Sequence, residues 1–325
     1  MSNFARTQLT ATWFGNLPGQ HDPTDLKTSG FLERSDGEQV TPGPFTPGRK
    51  GFASIYLKVD PAIKTEKNGA QHFALLYNHR PYDVGYRVLT RDDLGTAYYF
   101  RRATQPVSIV DVKVPQNLRV GYIMGVGDDI PDVLRSIGVS VTIIPVDSLS
   151  TADLTKFDTI VLGIRSYDSQ PALKTNNARL LDFVKNGGTL MVQYLYNTDS
   201  ITGMSPYPLT VSRSNSDRVV EEDAPVTLLA PDSPFFKSPN AITLKDFDGW
   251  VQERALYSPT TWDSHYQPLL ESKDSDGPAI KGGLLVAPYG KGTYIWNSWA
   301  FFRQLPAGVP GAIRLYVNLL SAGKK

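Results

Sequence analysis

A chain of 325 residues with 41% hydrophobic and 20% charged residues has an ordinary globular composition and enough length for about two domains. Its 33 Lys and Arg balance 32 Asp and Glu, leaving a formal net charge of +1, so no global field draws it to nucleic acid or an anionic membrane. Cysteine is absent, which excludes disulfides, cysteine-ligated zinc and thiolate nucleophiles while leaving the compartment open.

The chain opens with MSNFARTQLTATWFG, which has no long apolar run, so no signal peptide is expected. Through residue 115 the texture is β and loop. Short apolar runs at Phe52–Val59, His72–Tyr77, Tyr98–Phe100 and Val107–Val114 are separated by Pro- and Gly-rich stretches such as TPGPFTPGRKG. The last run alternates apolar and polar residues, the period of a half-buried strand. A small β-sandwich over 1–115, without helix, is the expectation.

The texture changes at Pro115-Gln116-Asn117. Leu118–Met124 reads as a buried strand, and GVGDD leads into a helix whose face carries Ile130, Val133, Leu134 and Ile137, the i, i+3, i+4, i+7 spacing. Asp128 or Asp129 can cap that helix, and Gly138 can end it. Strands follow at Val139–Val146 and Phe157–Ile164. A helix with Leu173, Leu180, Leu181 and Val184 on one face comes next, then a fourth strand at Leu190–Tyr196. This alternation predicts right-handed βαβ units in a doubly wound, mainly parallel sheet of order 2-1-3-4, flavodoxin-like, over 118–325. Residues 198–265 are loop-rich. Strands at Pro268–Glu271 and Gly283–Pro288, a turn at 289–292, a returning strand at Thr293–Trp299 and a last helix burying Ile313, Tyr316, Val317 and Leu320 complete the chain. No apolar run approaches the roughly 20 residues of a membrane span.

The segments VGYIMGVGDDIPDVLRSIGVSVTIIPVDSL, FDTIVLGIRSYD and LLDFVKNGGTLMVQY, continued by DAPVTLLAPDSPFF, residues 246–263, YGKG and FFRQLPAGVPGA, form one ordered series. It resembles the C-terminal region of large bacterial LmbE-type (PIG-L family) deacetylases over 118–321, with 84–114 similar to the β-rich segment that precedes that region. The resemblance implies a class I glutamine-amidotransferase-like fold. It also implies a nucleophile turn after Gly188–Val192, which here holds Gln193, Tyr194 and Leu195. Without cysteine, amidotransferase chemistry is closed to the chain. The zinc deacetylase motif His-Pro-Asp-Asp-Glu is also absent: the histidines are His21, His72, His79 and His265, and no His-x-Asp-Asp occurs. The resemblance therefore implies an accessory module without catalytic residues, cofactor or metal, with a carbohydrate or a zinc deacetylase domain or subunit as partner. The alternative is a hydrolase of carbohydrate conjugates using carboxylates or His265.

Ligands of open α/β sheets bind beyond the C-terminal ends of the strands. That rule nominates Arg165, Ser166 and Tyr167 after the third strand, and Gln193 and Asn197 at the end of the fourth. From the loop DFDGWVQERALYSPTTWDSHY it adds Gln252, Glu253, Arg254 and Trp262, placed above the cleft as a lid. Ring stacking by Trp262 and hydroxyl bonding by Arg254 or Glu253 suit a sugar; the competing reading packs the aromatics on the sheet and pairs the charges with one another. Arg303 is either a cleft residue or a helix-cap contact. Gly121, Gly125 and Gly127 fit a tight turn better than a phosphate cradle, because Asp128 and Asp129 follow directly. His265 with Asp263 and Glu253 is the one conceivable metal set, with a single imidazole.

Overall fold

The computed structural model describes residues 84–102 and 104–324 apart from 198–200, and strand backbone at 6–13, 32–33, 39–40, 51–58, 67–72, 75–77 and 80–82. The chain divides into two compact units, Phe4–Ile109 and the part from Val110 onward.

The described part of the first unit is all strand and turn. It contains β1 (Arg6–Trp13), β2 (Leu32–Glu33), β3 (Gln39–Val40), β4 (Gly51–Lys58), β5 (Lys67–His72), β6 (Leu75–Tyr77), β7 (Arg80–Tyr82), β8 (Val84–Arg91), β9 (Gly95–Arg102) and β10 (Thr104–Ile109). These form three two-stranded ladders, β1-β4, β5-β10 and β8-β9, and a four-stranded sheet of order β3-β2-β6-β7. The strand expected over His72–Tyr77 is divided. His72 closes β5, which pairs with β10, whereas Leu75 opens β6, which pairs with β2 and β7. The alternation read through Val107–Val114 stays a ladder only to Ile109; beyond it, Val110 and Val112 are buried in the core of the second unit.

The second unit is built on a seven-stranded sheet. Its first elements are β11 (Arg119–Ile123), α1 (Ile130–Ser136), β12 (Ser140–Ile143), β13 (Thr159–Leu162), the single turn α2 (Ser166–Ser169), α3 (Pro171–Lys185) and β14 (Thr189–Gln193). The insert then contributes β15 (Leu209–Val211), β16 (Val226–Leu228) and β17 (Pro259–Trp262). β18 (Gln267–Pro268), β19 (Leu270–Ser272), β20 (Leu284–Tyr289), β21 (Gly292–Asn297), α4 (Phe301–Gln304) and α5 (Pro310–Leu320) follow. The sheet order is β12-β11-β13-β14-β21-β20-β18. The first five strands are parallel, and β20 and β18 add an antiparallel margin. The fold is mixed α/β around a mainly parallel sheet.

Burial explains why the strands sit where they do. All residues of β13 and β14 are buried, as expected of strands covered on both faces. Their side chains alternate between two cores. Tyr122, Val161, Met191 and Ile295 face α1 and α5, while Ile160, Leu162, Leu190, Val192 and Trp296 face α3. The edge strand β12 is mostly exposed and ends at Ile143, short of the expected Val146. Ile144 still donates to the Tyr122 carbonyl at 2.9 Å, and Pro145 after it has no N–H to extend the ladder. β14 likewise stops at Gln193, paired with Asn297, so Tyr194–Tyr196 lie beyond the strand.

α5 is buried on nearly every side, with Leu315, Asn318 and Leu319 enclosed as well as the expected Ile313, Tyr316, Val317 and Leu320. One side packs on the sheet; the insert covers the rest through a ring cluster. Trp250 lies 5.8 Å from Phe247, 5.4 Å from Trp299 and 5.5 Å from Phe301, which in turn lies 5.2 Å from Tyr316. Asn318 donates to the carbonyls of Phe235 and Asn240 and accepts from the Asn240 backbone and side-chain amides. Asn240 also exchanges bonds with the Lys113 backbone. A buried amide must be matched this fully to be tolerated. Among the described residues no helix is long and apolar enough to cross a membrane.

Candidate functional site

The C-terminal ends of β11, β13, β14 and β21 converge on one edge. Backbone bonds lace the loops there: Val126 N–H donates to Ile164 O at 3.2 Å and Arg165 N–H to Tyr194 O at 2.9 Å. Arg165 adopts φ 56° and opens the single turn α2. Among the described residues, three of the four non-glycine residues with positive φ, namely Arg165, Gln252 and Tyr257, belong to this edge or to the part of the insert that meets it. Such conformations cost of order 1–3 kcal/mol each and gather at functional sites.

A continuous set of charged and aromatic groups occupies the edge. Asp168 accepts the backbone N–H of Tyr196 at 2.7 Å and of Asn197 at 3.2 Å, and meets Arg165 Nε at 3.4 Å. The guanidinium carbons of Arg165 and Arg213 lie 5.0 and 3.8 Å from the centre of the Tyr196 ring, within cation–π range. Tyr196 meets Tyr257 edge-on at 5.6 Å, and Arg218 lies 5.4 Å from the Tyr257 ring. Glu253 is buried between two arginines, accepting Arg218 at 2.7 Å and Arg303 at 2.9 Å. Arg303 also donates to the Gln252 side chain and lies 4.9 Å from the Phe302 ring, which packs on Tyr194 at 5.4 Å. Burial raises the pKa of Tyr194; the guanidinium groups of Arg165 and Arg303 oppose the rise, and Glu253 and Asp168 add to it. All four charges act on its hydroxyl.

Beneath the edge is a polar floor. Tyr122 OH donates to Asp128 at 2.7 and 2.8 Å, and Gln193 Nε2 donates to Tyr122 OH at 2.9 Å. These residues come from β11 and β14 and meet across β13. They can do so because Gly163 lies between them: a Cβ there would sit 3.1 Å from both the Tyr122 ring and Asp128. Burial raises the Asp128 pKa, and the bonds from Tyr122 and the Ile130 N–H counter it only in part. Ser166 Oγ and Gln193 Oε1 are buried with no protein hydrogen-bond partner.

The residues nominated from sequence divide accordingly. Arg165, Asn197, Gln252 and Glu253 come together at the edge. Ser166 and Gln193 lie under it, and Tyr167 turns into the core to bond Asn177 of α3 at 2.5 Å. Arg254 is buried and spends its guanidinium on the carbonyls of Ala224 and Phe247. Trp262 sits half-buried in β17 with its ring beside Gly282 and makes no ring contact with Tyr194, Tyr196 or Tyr257. The lid expected from the insert is thus only partly realised, because Trp250 and Arg254 serve the core. His265 pairs with Asp263 at 2.6 Å and stacks on Tyr207 at 4.0 Å. Tyr207 in turn donates to Pro288 at the start of the β20–β21 turn, so His265 belongs to the opposite edge and cannot join Glu253. Among the described residues no three metal-ligating side chains cluster. Arg213, Arg218 and Tyr196 are residues sequence reasoning missed; Tyr196 read as the end of the fourth strand. Arg213 and Arg218 lie in a polar run, SRSNSDR, whose only signal is its two arginines.

A depression at the N-terminal edge of the sheet is lined by Asp153, Leu154, Phe157, Asp158, Arg179 and Phe183 among others. Its charged groups are largely spent: Arg179 bonds the carbonyls of Leu149 and Ala152, and Asp158 bonds Arg119.

No family model matches the chain, and no curated protein matches it. Solved structures share parts of its shape at low identity. The cytoplasmic protein STM1381 from Salmonella typhimurium LT2 is 15% identical, with 64% of this chain and 100% of that one covered at a TM-score of 0.41. PurLQS from Thermotoga maritima is 15% identical, with 62% and 97% covered at 0.43. A cold-adapted beta-galactosidase from Rahnella sp. R3 is 16% identical, with 65% of this chain and 32% of that one covered at 0.37.

Proposed function

We propose that the chain is a non-catalytic binding module that holds a carbohydrate at the C-terminal edge of its parallel sheet. The observation that carries this reading is the run of partly exposed rings, Tyr194, Tyr196, Tyr257 and Phe302, interleaved with Arg165, Arg303 and Glu253. Rings offer stacking faces to a sugar, and fixed guanidinium and carboxylate groups bond its hydroxyls, the combination of an apolar surface with a few placed polar groups that defines ligand sites. The strained backbone at Arg165, Gln252 and Tyr257 adds support.

In this reading the second unit is flavodoxin-like and amidotransferase-like, and the part through residue 115 is a sandwich-like companion. The partner is an LmbE-type N-acetylglucosaminyl deacetylase, as domain or subunit. The absence of cysteine supports a role in binding over amidotransfer. The β12-β11-β13-β14 order supports the topology. Titration calorimetry with N-acetylated chito-oligosaccharides tests the reading. Binding should weaken about tenfold in Tyr196→Ala, a change at an exposed ring, equivalent to about 1.4 kcal/mol. Absence of heat with any oligosaccharide at millimolar concentration, or no change in the variant, would count against it.

A further inference from the structure

The charge at the edge is not balanced. Four guanidinium groups, Arg165, Arg213, Arg218 and Arg303, stand against three carboxylates, Asp168, Glu253 and Glu222, the last of which accepts the Gln252 backbone N–H at 2.8 Å. Glu253 is consumed by Arg218 and Arg303. Asp168 is divided between two backbone amides and a 3.4 Å contact with Arg165. Arg213 is exposed and meets only the Tyr196 ring, with no carboxylate partner among the described residues. Each guanidinium carries five N–H donors and no acceptor, so Arg165, Arg213 and Arg303 retain unfilled donors around Tyr194 and Tyr196. The Tyr194 hydroxyl adds another, since no protein group bonds it among the described residues. A set of like charges held this close needs a counter-charge, and guanidinium groups match the oxygen geometry of carboxylate and phosphate.

We propose that the carbohydrate held at this edge is an anionic one, a sugar whose ring stacks at Tyr196 and whose carboxylate or phosphate is received by Arg165, Arg213 and Arg303. This rests on the carbohydrate reading and narrows it. A neutral sugar leaves the excess positive charge to solvent; an anion pairs with it. Arg213 packs on the Tyr196 ring and pairs with no carboxylate among the described residues, whereas Arg218 and Arg303 hold Glu253 in place.

Three ligands that share one N-acetylglucosamine ring separate the outcomes: N-acetylglucosamine itself, N-acetylmuramic acid with a carboxylate, and N-acetylglucosamine 6-phosphate. Dissociation constants are measured by ligand-observed NMR with the full chain, at low and at 0.3 M salt. At least one charged sugar should bind about tenfold more tightly than the neutral one, and which one does so tells carboxylate from phosphate. The advantage should shrink at high salt through screening, and the ratio of charged-sugar to N-acetylglucosamine affinity measured within Arg213→Ala should be severalfold smaller than in the parent. Arg213→Lys should keep part of it. Equal binding of all three sugars would overturn the anionic ligand and leave the carbohydrate reading standing. A charged-sugar advantage that persists in both Arg213→Ala and Arg165→Gln would place the anion elsewhere and overturn the assignment. If no sugar binds, the carbohydrate reading falls and this inference with it.

Discussion

Gly125 approaches Ile164 so closely that a Cβ on it would stand 1.9 Å from the Ile164 carbonyl oxygen, the atom to which Val126 N–H donates. The obstruction is backbone, which a rotamer change cannot relieve. Gly125→Ala should therefore push the loops after β11 and β13 apart and cost about 3 kcal/mol, at the upper end of overpacking. Urea denaturation measures it, and a loss under 1 kcal/mol would mean the two loops are not locked together.

Asp128 gives the site a pH signature. Burial raises its native pKa, so the folded protein holds this proton more firmly than the unfolded chain does. The associated stability is fully present below the unfolded value of about 3.9, and it is lost as pH rises through the native value. Asp128→Asn keeps an acceptor for Tyr122 without the charge. The stability difference between variant and parent should accordingly move in the variant's favour from about pH 4 toward neutrality. Denaturation curves across that range test the sign; a flat difference or the opposite slope contradicts it.

Glu253 is the anion that holds Arg218 from the insert and Arg303 from α4 together. Removing one partner of a fully buried pair costs roughly 3–5 kcal/mol. Both arginines remain partly exposed and can rehydrate, so Glu253→Ala should cost about 2 kcal/mol. Near-neutral stability by denaturant titration would show that the insert is held by its rings alone.

Asn318 should be the least replaceable polar residue of the core. Leucine there would strand the carbonyls of Phe235 and Asn240 and the two Asn240 amides, each worth about 1–3 kcal/mol when buried and unpaired. Even with some rehydration, Asn318→Leu should lose at least about 3 kcal/mol, seen as a lower urea midpoint with unchanged slope. A variant as stable as its parent would show that these amides find other partners.

What could be read from sequence follows the physical source of each signal. β13 and β14 were legible because a strand covered on both faces must be apolar throughout, and Arg165 and Asn197 followed from the rule that places ligands at strand ends. Glu253 and Gln252 were legible as polar residues in an aromatic loop, while Trp262 was grouped with them and lies beside Gly282, since nothing in a loop's composition says which way each ring turns. Tyr196 was hidden inside LMVQYLY, a run that looks like strand to its end, and Tyr194 was placed only as an occupant of the turn; β14 stops at Gln193, where its partner β21 stops at Asn297. Arg213 and Arg218 were illegible because a polar run reads as solvated, and only tertiary contact gives them Tyr196 and Glu253. The enclosure of α5 was half legible: its apolar content was visible, but the segment that covers its far side was not.

That enclosure governs how the chain reaches its native state. Thr159 donates to the Leu320 carbonyl at 2.6 Å across 161 positions, and β14 meets β21 only after the entire insert has been spanned. Loops of this length must close before their contacts reward them, so assembly belongs to the slow, high-contact-order class. Until α5 and the insert dock, Tyr122, Val161, Met191 and Ile295 lie on an apolar sheet face that only α1 covers. A half-assembled chain in that condition is adhesive toward other chains, and refolding yield should fall steeply with protein concentration.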